Sequence, residues 1–258
     1  MTPVTLITGA SAGIGSELAR VFASRGHALV LVARREQLLN ELAGEIAATG
    51  RAKPLVLAMD LAQPDAAARI GAALGAHALE PQYIVNNAGF GLVGRAADLD
   101  RDRQLGMIDL NMRTLTDLSL SFVDSLARHR GGILNVASIA GFLPGPGMAV
   151  YYASKAYVIS LTEALRAELA PRGVRVTVLC PGPVPTEFQA RAGVGSGHNT
   201  ALLNVPASDV AREAYRGLMA NKRAVLPGLG IKIVPFALRF FPRGFILSAT
   251  SRFQRQRH

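Results

Sequence analysis

Short apolar runs alternate with amphipathic stretches along most of the chain, as far as about residue 226. Runs such as Ala28–Val32 are apolar throughout, which is typical of strands buried on both faces of a parallel sheet. The stretches between them place apolar residues three and four apart, which predicts helices with one buried face. The predicted strands are Val4–Thr8, Ala28–Val32, Pro54–Ala58, Tyr83–Val85, Ile133–Ala137, Val174–Leu179 and Ala224–Leu226.

The predicted helices fill the intervals between these strands. This alternation favours an α/β fold with a doubly wound parallel sheet and helices on both faces. Since no linker or repeat interrupts the alternation, we expect one domain over residues 1–228. Residues 229–258 form a basic, apolar C-terminal extension, either part of that domain or a lid. The helices are Gly15–Arg25, Arg35–Ala48, Ala66–Leu79, one long helix within Arg101–His129, Tyr151–Ala170, and a helix that Ser208 caps and that runs to about Ala220.

The charge of the chain is concentrated at its C-terminal end. The net charge is +10, and no acidic residue follows Glu213, whereas nine lysines and arginines do. The rest of the chain holds 19 of the 28 basic residues against 18 acidic ones and is almost neutral. A nucleic-acid-binding protein would spread its basic residues over a binding face, so we expect no nucleic-acid partner.

Cysteine and histidine usage gives no reason to expect a disulfide or a metal site. Cys180 is the only cysteine and ends an apolar run, so we expect a buried thiol. The five histidines lie far apart, without the spacing of metal ligands. The chain shows neither a basic leader nor about 18 consecutive apolar residues, so we expect a cytoplasmic protein without a spanning helix.

The first predicted strand runs into a glycine-rich turn before the first helix. Gly9 permits a tight turn, Gly13 lets the backbone approach a pyrophosphate, and Gly15 lets the helix pack close to the strand. The N-terminus of the helix then presents N–H groups to the anion. Three glycines alone would only mark a turn, but between the first strand and helix of this pattern they predict dinucleotide binding.

The second predicted strand ends without the carboxylate that NAD sites use to bind the ribose 2′-hydroxyl. Arg34 stands there instead, and its guanidinium suits a 2′-phosphate. The alternative is that Arg34 and Arg35 are solvated residues at a helix start, although cations are slightly unfavourable there. We therefore expect NADP, as NADPH, rather than NAD.

Tyr151 and Lys155 are four residues apart on a predicted helix and share one face. A neighbouring ammonium lowers the pKa of a phenol below its usual value of about 10, which makes Tyr151 a general acid or base near neutral pH. Ser138, after the fifth strand, can hydrogen-bond a substrate oxygen beside the phenol. Tyr152 would point about 100° away, so we assign it to packing or the pocket wall.

These motifs follow one another as they do in the short-chain dehydrogenase/reductase family, which the chain resembles from Val4 to Phe188. The resemblance implies a Rossmann-type, seven-stranded sheet and a nicotinamide cofactor. It also implies hydride transfer between that cofactor and a carbonyl or alcohol carbon. The matching segments are Thr8–Gly15, Asp60-Leu61, Asn86–Gly89, Asn111, Ser138, Tyr151 with Lys155, and Pro181-Gly182.

The resemblance implies a role for each matching residue. Tyr151 is the acid/base and Ser138 steadies the substrate oxygen. Lys155 lowers the pKa of the tyrosine and binds the nicotinamide ribose, and Asn111 holds a water in a proton relay. Asp60 and Leu61 would lie along the adenine, and the residues after the sixth strand near the nicotinamide. The implied cofactor-binding residues are Gly9, Ser11, Gly13, Ile14, Gly15, Arg34, Asp60, Leu61, Asn87, Ala88, Gly89, Tyr151, Lys155, Pro181, Gly182 and Thr186.

Two other functions compete with this interpretation. A regulatory protein that senses NADP(H) without turnover would share the first turn, but it would not need Ser138, Tyr151 and Lys155 together. A nucleotide-sugar epimerase or dehydratase would use a similar tyrosine, but usually with a larger C-terminal substrate domain than the chain after Cys180 provides. We therefore expect an NADP-dependent oxidoreductase, as a homodimer or homotetramer.

The resemblance implies that the substrate is a small carbonyl or alcohol compound. The motifs do not specify which compound it is. Several apolar residues suggest an apolar pocket, although simple core packing is the alternative for each of them. We expect the segment Val184–Val205 to form the substrate loop. The candidate pocket residues are Phe90, Phe142, Leu143, Met148 and Phe188.

The segment Ile231–Phe241 combines apolar residues with spaced cations. It could form a pocket lid, an oligomer contact or a peripheral membrane contact, and packing on the protein itself is the simplest interpretation. On a helix, one apolar stripe would comprise Ile231, Val234, Leu238 and Phe241, with Pro235 kinking or breaking the helix.

Overall fold

The computed structural model describes residues 1–193 and 205–255. Within these residues, seven strands form one parallel sheet in the order β3-β2-β1-β4-β5-β6-β7, which confirms the predicted doubly wound fold. The order reverses between β1 and β4, which opens a crevice at the carboxyl ends of these two strands. The strands are β1 Thr2–Thr8, β2 Leu29–Ala33, β3 Leu55–Ala58, β4 Leu79–Asn86, β5 Gly132–Val136, β6 Arg175–Leu179 and β7 Ala224–Val225.

Helices cover both faces of the sheet, and a separate apolar core lies on each side. Because successive side chains of a strand point to opposite faces, Leu6 and Ile7 of β1 belong to different cores. Cys180, directly after β6, is buried as expected. The helices are α1 Gly13–Ser24, α2 Glu36–Ala48, α3 Ala66–Ala76, α4 Arg101–Ile108, α5 Leu115–Ser121, α6 Val123–Arg128, α7 Ala149–Leu169, α8 Glu187–Ala192, α9 Ala207–Met219, α10 Leu229–Ala237 and α11 Arg243–Arg255.

Several predicted helix boundaries are wrong by one to three residues, and two of them have a clear cause. Helix α3 stops at Ala76, not at Leu79, because Leu79 begins β4 and pairs with Thr2 of β1. Ser208 does not cap α9, since the helix already begins at Ala207 and Pro206 occupies the cap position. The carbonyl of Pro206 accepts the N–H groups of Asp209 and Val210, and no side chain caps this end.

The long helix predicted within Arg101–His129 is present but not continuous. A π-helical turn, Asp109–Thr114, separates α4 from α5, and Phe122 interrupts the helix again before α6. Such π turns are uncommon and occur frequently at functional sites. Asn111, the predicted relay residue, lies within this turn.

The C-terminal segment is helical through Pro235, so this proline does not break the helix, and the alternative that it kinks the helix stays a prediction. Helix α10 continues to Ala237, and a turn of 3₁₀ helix, Leu238–Phe240, follows before α11. Helix α10 contacts the 3₁₀ turn Ile139–Phe142 and buries Ile231, which is 2% exposed. In the part of the chain that the structure describes, no helix has the length and hydropathy to span a bilayer.

Candidate active site

A cleft of about 560 Å³ opens at the carboxyl edge of the sheet, in the crevice between β1 and β4. Most of the predicted site residues line it, although they come from the six loops after β1 to β6 and from the first half of α7. Gly15 and Asn111 lie behind its wall. The predicted residues along the cleft are Gly9, Ser11, Gly13, Ile14, Arg34, Asp60, Leu61, Asn87, Ala88, Gly89, Ser138, Tyr151, Lys155, Pro181, Gly182 and Thr186.

The first turn is shaped by glycines that no other residue could replace without movement. Gly9 and Gly13 have φ angles of 66° and 61°, in the left-handed region. A Cβ on Gly15 would lie 2.3 Å from the carbonyl oxygen of Gly9, so α1 packs directly against this turn. Thr186 lies over the other side of the turn, with its methyl group next to Gly13.

Hydrogen bonds hold the first turn against the loop that follows β4. The hydroxyl of Thr8 accepts the N–H groups of Asn87 and Ala88 at 3.0 and 3.1 Å and donates to the carbonyl of Val85. The amide of Asn87 donates to the carbonyls of Thr8 and Gly9 at 2.9 and 3.2 Å. The two loops therefore form one wall of the cleft.

Arg35 was not among the predicted site residues, yet its guanidinium extends over the first turn. It donates to the hydroxyl of Ser11 at 3.1 Å and to the carboxylate of Glu187 at 2.8 Å. Arg34 also lines the cleft but is exposed. Its position next to Arg34 could have identified Arg35 as a site residue. Nothing in the sequence points to Glu187, which is 152 residues away from Arg35.

Three side chains converge at the inner end of the cleft. Tyr151 and Lys155, from the first half of α7, are both buried, and Ser138 follows β5 and lines the same end of the cleft. The ammonium of Lys155 donates to the carbonyl of Val136 at 2.8 Å. Its nitrogen lies 5.8 Å from the centre of the Tyr151 ring.

Burial determines the protonation of this group. It raises the pKa of Tyr151 to about 12, although the hydrogen bond from Ser138 acts in the opposite direction. It also lowers the pKa of Lys155 to about 8. Lys155 is not among the groups that shift the pKa of Tyr151 here, so the expectation that it lowers this pKa stays a prediction.

Asn111 connects the π-helical turn by hydrogen bonds to the loop after β4, behind the cleft wall. Its amide oxygen accepts the N–H of Phe90 at 3.1 Å, and its amide nitrogen donates to the carbonyl of Phe90 and the hydroxyl of Ser154. A Cβ on Gly89 would lie 2.8 Å from that amide oxygen. Gly89 therefore lets the backbone pass between Asn111 and the cleft.

The space beside Tyr151 has apolar walls. The centre of the Phe188 ring lies 5.5 Å from the centre of the Tyr151 ring. Tyr152 packs edge-on to the Tyr151 ring, with 6.2 Å between the ring centres. Of the predicted pocket residues, Phe90, Met148 and Phe188 line the cleft. Phe142 packs in an apolar cluster with Val158 and Ile159 instead, and Leu143 does not line the cleft. The predicted substrate loop contains α8, and its residues 194–204 lie outside the described part of the chain.

This arrangement provides the parts needed for a proton transfer next to a bound dinucleotide. The glycine turn can receive a pyrophosphate, and two arginines border the same end of the cleft. At the other end, a phenol, a hydroxyl and an ammonium surround a space with apolar walls. A substrate oxygen there could accept hydrogen bonds from both Tyr151 and Ser138.

Known proteins resemble this chain in both sequence and fold. A family model described as short chain dehydrogenase matches residues 3–195. The sulfoacetaldehyde reductase 2 of Chromohalobacter salexigens is 37% identical over 219 residues, which cover 82% of this chain and 86% of that protein.

Two solved structures illustrate the range of relatives. A short-chain dehydrogenase from Sphingobium yanoikuyae in complex with NADPH is 32% identical, with a TM-score of 0.82 and coverage of 96% of this chain and 95% of that one. A 3-ketoacyl-(acyl-carrier-protein) reductase from Brucella melitensis complexed with NADH is 28% identical, with a TM-score of 0.76 and coverage of 87% and 96%.

Proposed function

The chain belongs to the short-chain dehydrogenase/reductase family, and from that premise we propose that it reduces an apolar carbonyl compound with NADPH, using Tyr151 as the proton donor. The observation that carries this proposal is the convergence of Tyr151, Ser138 and Lys155 at the apolar end of the cleft. A protein that only binds a dinucleotide has no use for a buried phenol beside a serine hydroxyl and an ammonium at that position.

The protonation of Tyr151 suits this residue to the role of proton donor in a reduction. With a pKa of about 12, the phenol keeps its proton at neutral pH and is ready to donate it. Reduction of a carbonyl leaves negative charge on its oxygen, and an alkoxide is a much stronger base than a phenolate. The proton therefore moves downhill from Tyr151 to the substrate, while Ser138 holds the same oxygen in place.

The proposed cofactor is NADPH. Bound in the cleft, it would supply the hydride. The left-handed turn at Gly9 and Gly13 leaves room for its pyrophosphate, and Arg34 and Arg35 border the cleft where the adenosine ribose would lie. Solved relatives hold NADPH or NADH, so the choice of NADPH rests on these two guanidinium groups rather than on the family.

The proposed substrate is apolar near its carbonyl group. Relatives act on compounds as different as sulfoacetaldehyde and 3-ketoacyl groups, by their names, so the family alone does not identify the substrate. Around Tyr151, the described lining includes Phe90, Met148, Tyr152 and Phe188, and the nearby cation, Lys155, is buried below the phenol. A sulfonate would find no exposed positive partner among these residues.

The test is steady-state reduction of a ketone panel by NADPH, comparing Tyr151→Phe with Tyr152→Phe as the matched control. Since positioned general acid catalysis contributes about 10²–10⁴-fold, Tyr151→Phe should lower kcat by that factor. NADPH affinity should be retained in both variants, and Tyr152→Phe should keep most of the turnover. Full turnover by Tyr151→Phe would disprove the assignment of the proton donor.

The same panel tests the regulatory alternative, an NADP(H) sensor without turnover. That alternative requires tight NADPH binding by the wild-type protein with no reduction or oxidation of any member of the panel. We further propose that the enzyme acts in the cytoplasm as a homodimer or homotetramer. The buried, unpaired thiol of Cys180 is compatible with a reducing compartment.

A further inference from the structure

Helices α10 and α11 carry a surface that is unusually apolar for a protein exterior. Six of the ten large apolar side chains that the structure shows as exposed belong to residues 233–247. Phe236 packs edge-on to Phe240 at 5.2 Å, and Phe241 stacks on Phe245 at 5.3 Å. We call the set the tail surface: Ile233, Phe236, Phe240, Phe241, Phe245 and Leu247, which are 45–71% exposed.

Helix α10 is apolar on two opposite faces. Ile231 is buried and Val234 and Leu238 are half-buried, so most of the stripe predicted from the sequence packs on the protein, while Phe241 is exposed. A second stripe lies on the opposite side and is exposed. Its members each follow a residue of the first stripe by two positions: Ile233, Phe236 and Phe240. A helix with apolar side chains on two opposite faces normally has a partner for each of those faces.

The charges of the C-terminal segment that carries the tail surface all have one sign. Lys232, Arg243 and Arg252 of this segment are exposed, and no acidic residue follows Glu213. Exposed aromatic and aliphatic side chains between cations are characteristic of helices that lie in the interface of an anionic bilayer, where the apolar side chains enter the lipid and the cations bind headgroups.

We propose that the tail surface docks on an anionic membrane, with α10 and α11 lying along the headgroups. A second copy of the chain would be a poorer partner for this surface, because symmetric pairing would bring Lys232, Arg243 and Arg252 of both copies together. Since α10 also contacts the turn Ile139–Phe142 that follows Ser138, docking would hold the catalytic cleft close to the lipid.

The experiment is flotation of the full-length protein with vesicles of phosphatidylcholine, either alone or with 30% phosphatidylglycerol. Each mixture is tested at about 50 and 500 mM salt, because surface charges are weakly screened at the lower concentration and strongly screened at the higher one. We expect binding to the anionic vesicles at low salt, and weak binding to the neutral ones. Phe236→Ser/Phe240→Ser should lower the partition coefficient at least about tenfold, since each buried phenyl contributes roughly that factor. Lys232→Glu/Arg243→Glu should weaken only the binding to anionic vesicles.

The matched control is Leu105→Ser/Leu120→Ser, which removes two exposed leucines outside the tail surface and should leave vesicle binding unchanged. NADPH binding and circular dichroism show that each variant is folded. The proposal is overturned if the wild-type protein does not float with anionic vesicles, or if the phenylalanine variant floats equally well. It is also overturned if that variant instead dissociates an oligomer, measured by light scattering, with no change in flotation.

Discussion

Lys155 is buried beneath Tyr151, and its charge state changes close to physiological pH. Because burial lowers its pKa to about 8, the ammonium loses its proton between about pH 7 and 9, and with it the positive charge next to the reacting oxygen. We expect kcat for carbonyl reduction to fall as the pH rises through 8. Lys155→Met should have a lower kcat and should lack this step in its pH profile, which stopped-flow or steady-state kinetics would measure.

The free energy of unfolding gives an independent measurement of the same pKa. Lys155 binds its proton less tightly in the folded protein than in the unfolded chain, so stability should increase between pH 8 and 10, where the unfolded chain is the more protonated. The rise should reach roughly 3 kcal/mol at most and should be absent in Lys155→Met. A wild-type kcat and stability that are both flat from pH 7 to 10 would contradict the low pKa.

Arg35 and Glu187 allow a sharper test of cofactor choice than Arg34 alone. If Arg35 binds the 2′-phosphate, Arg35→Ala should lower NADPH affinity by about one to two powers of ten and NADH affinity much less. Glu187→Gln removes a negative charge that pairs with Arg35 at 2.8 Å and should leave NADPH affinity equal or higher. If fluorescence titration shows that Arg35→Ala loses equal affinity for NADPH and NADH, Arg35 does not bind the 2′-phosphate.

At the residue scale, the sequence was informative wherever a role depends on residue type and spacing. Tyr151, Lys155 and Ser138 could be selected because their spacing on a helix and after a strand is visible in the chain. The partnership of Arg35 with Glu187 depends on two loops meeting in space, and the pKa of Tyr151 depends on burial. Neither can be obtained from the order of residues.

At the scale of elements, the apolar runs predicted the strands and their parallel arrangement because strands buried on both faces leave a strong signal. Boundaries were less certain where one element directly follows another, as between α3 and β4. The π-helical turn at Asp109–Thr114 had no signal, since its residues are compatible with an ordinary helix. Helix α10 continues past Pro235 because one missing hydrogen bond does not by itself end a helix that also packs Ile231 and Val234 on the protein.

The junction of β1 and α1 gives a prediction about backbone packing. Gly15→Ala should destabilise the protein and weaken NADPH binding, because its Cβ would lie 2.3 Å from a backbone oxygen that cannot rotate away. Gly44→Ala, inside α2 with nothing within 4 Å of the added carbon, is the matched control and should stabilise the protein by about 0.5–1 kcal/mol. Chemical denaturation of the two variants measures this difference, and a Gly15→Ala protein of wild-type stability would refute the close packing.

Over the whole molecule, the topology rather than any local motif assembles the cleft. The sheet order brings the ends of β1 to β6 to one edge, and the loops that follow these strands, together with the first half of α7, supply the cleft residues. The C-terminal segment completes this architecture from outside the sheet, since α10 contacts the turn Ile139–Phe142 behind Ser138. Its contribution to folding and to catalysis can therefore be separated by experiment.

A chain that ends at Gly228 retains all seven strands, since β7 ends at Val225, and we expect it to fold and to bind NADPH. It should nevertheless lose kcat/KM, because the turn after Ser138 loses the support of α10. Ile231→Ala tests that support alone and should lower the free energy of unfolding by about 2–5 kcal/mol, as deletion of a buried isoleucine does. Ile233→Ala, at a position 64% exposed, is the matched control and should change stability little. If the shortened chain is unfolded, residues 1–228 do not form a self-sufficient domain; if it keeps full kcat/KM, α10 has no part in positioning Ser138.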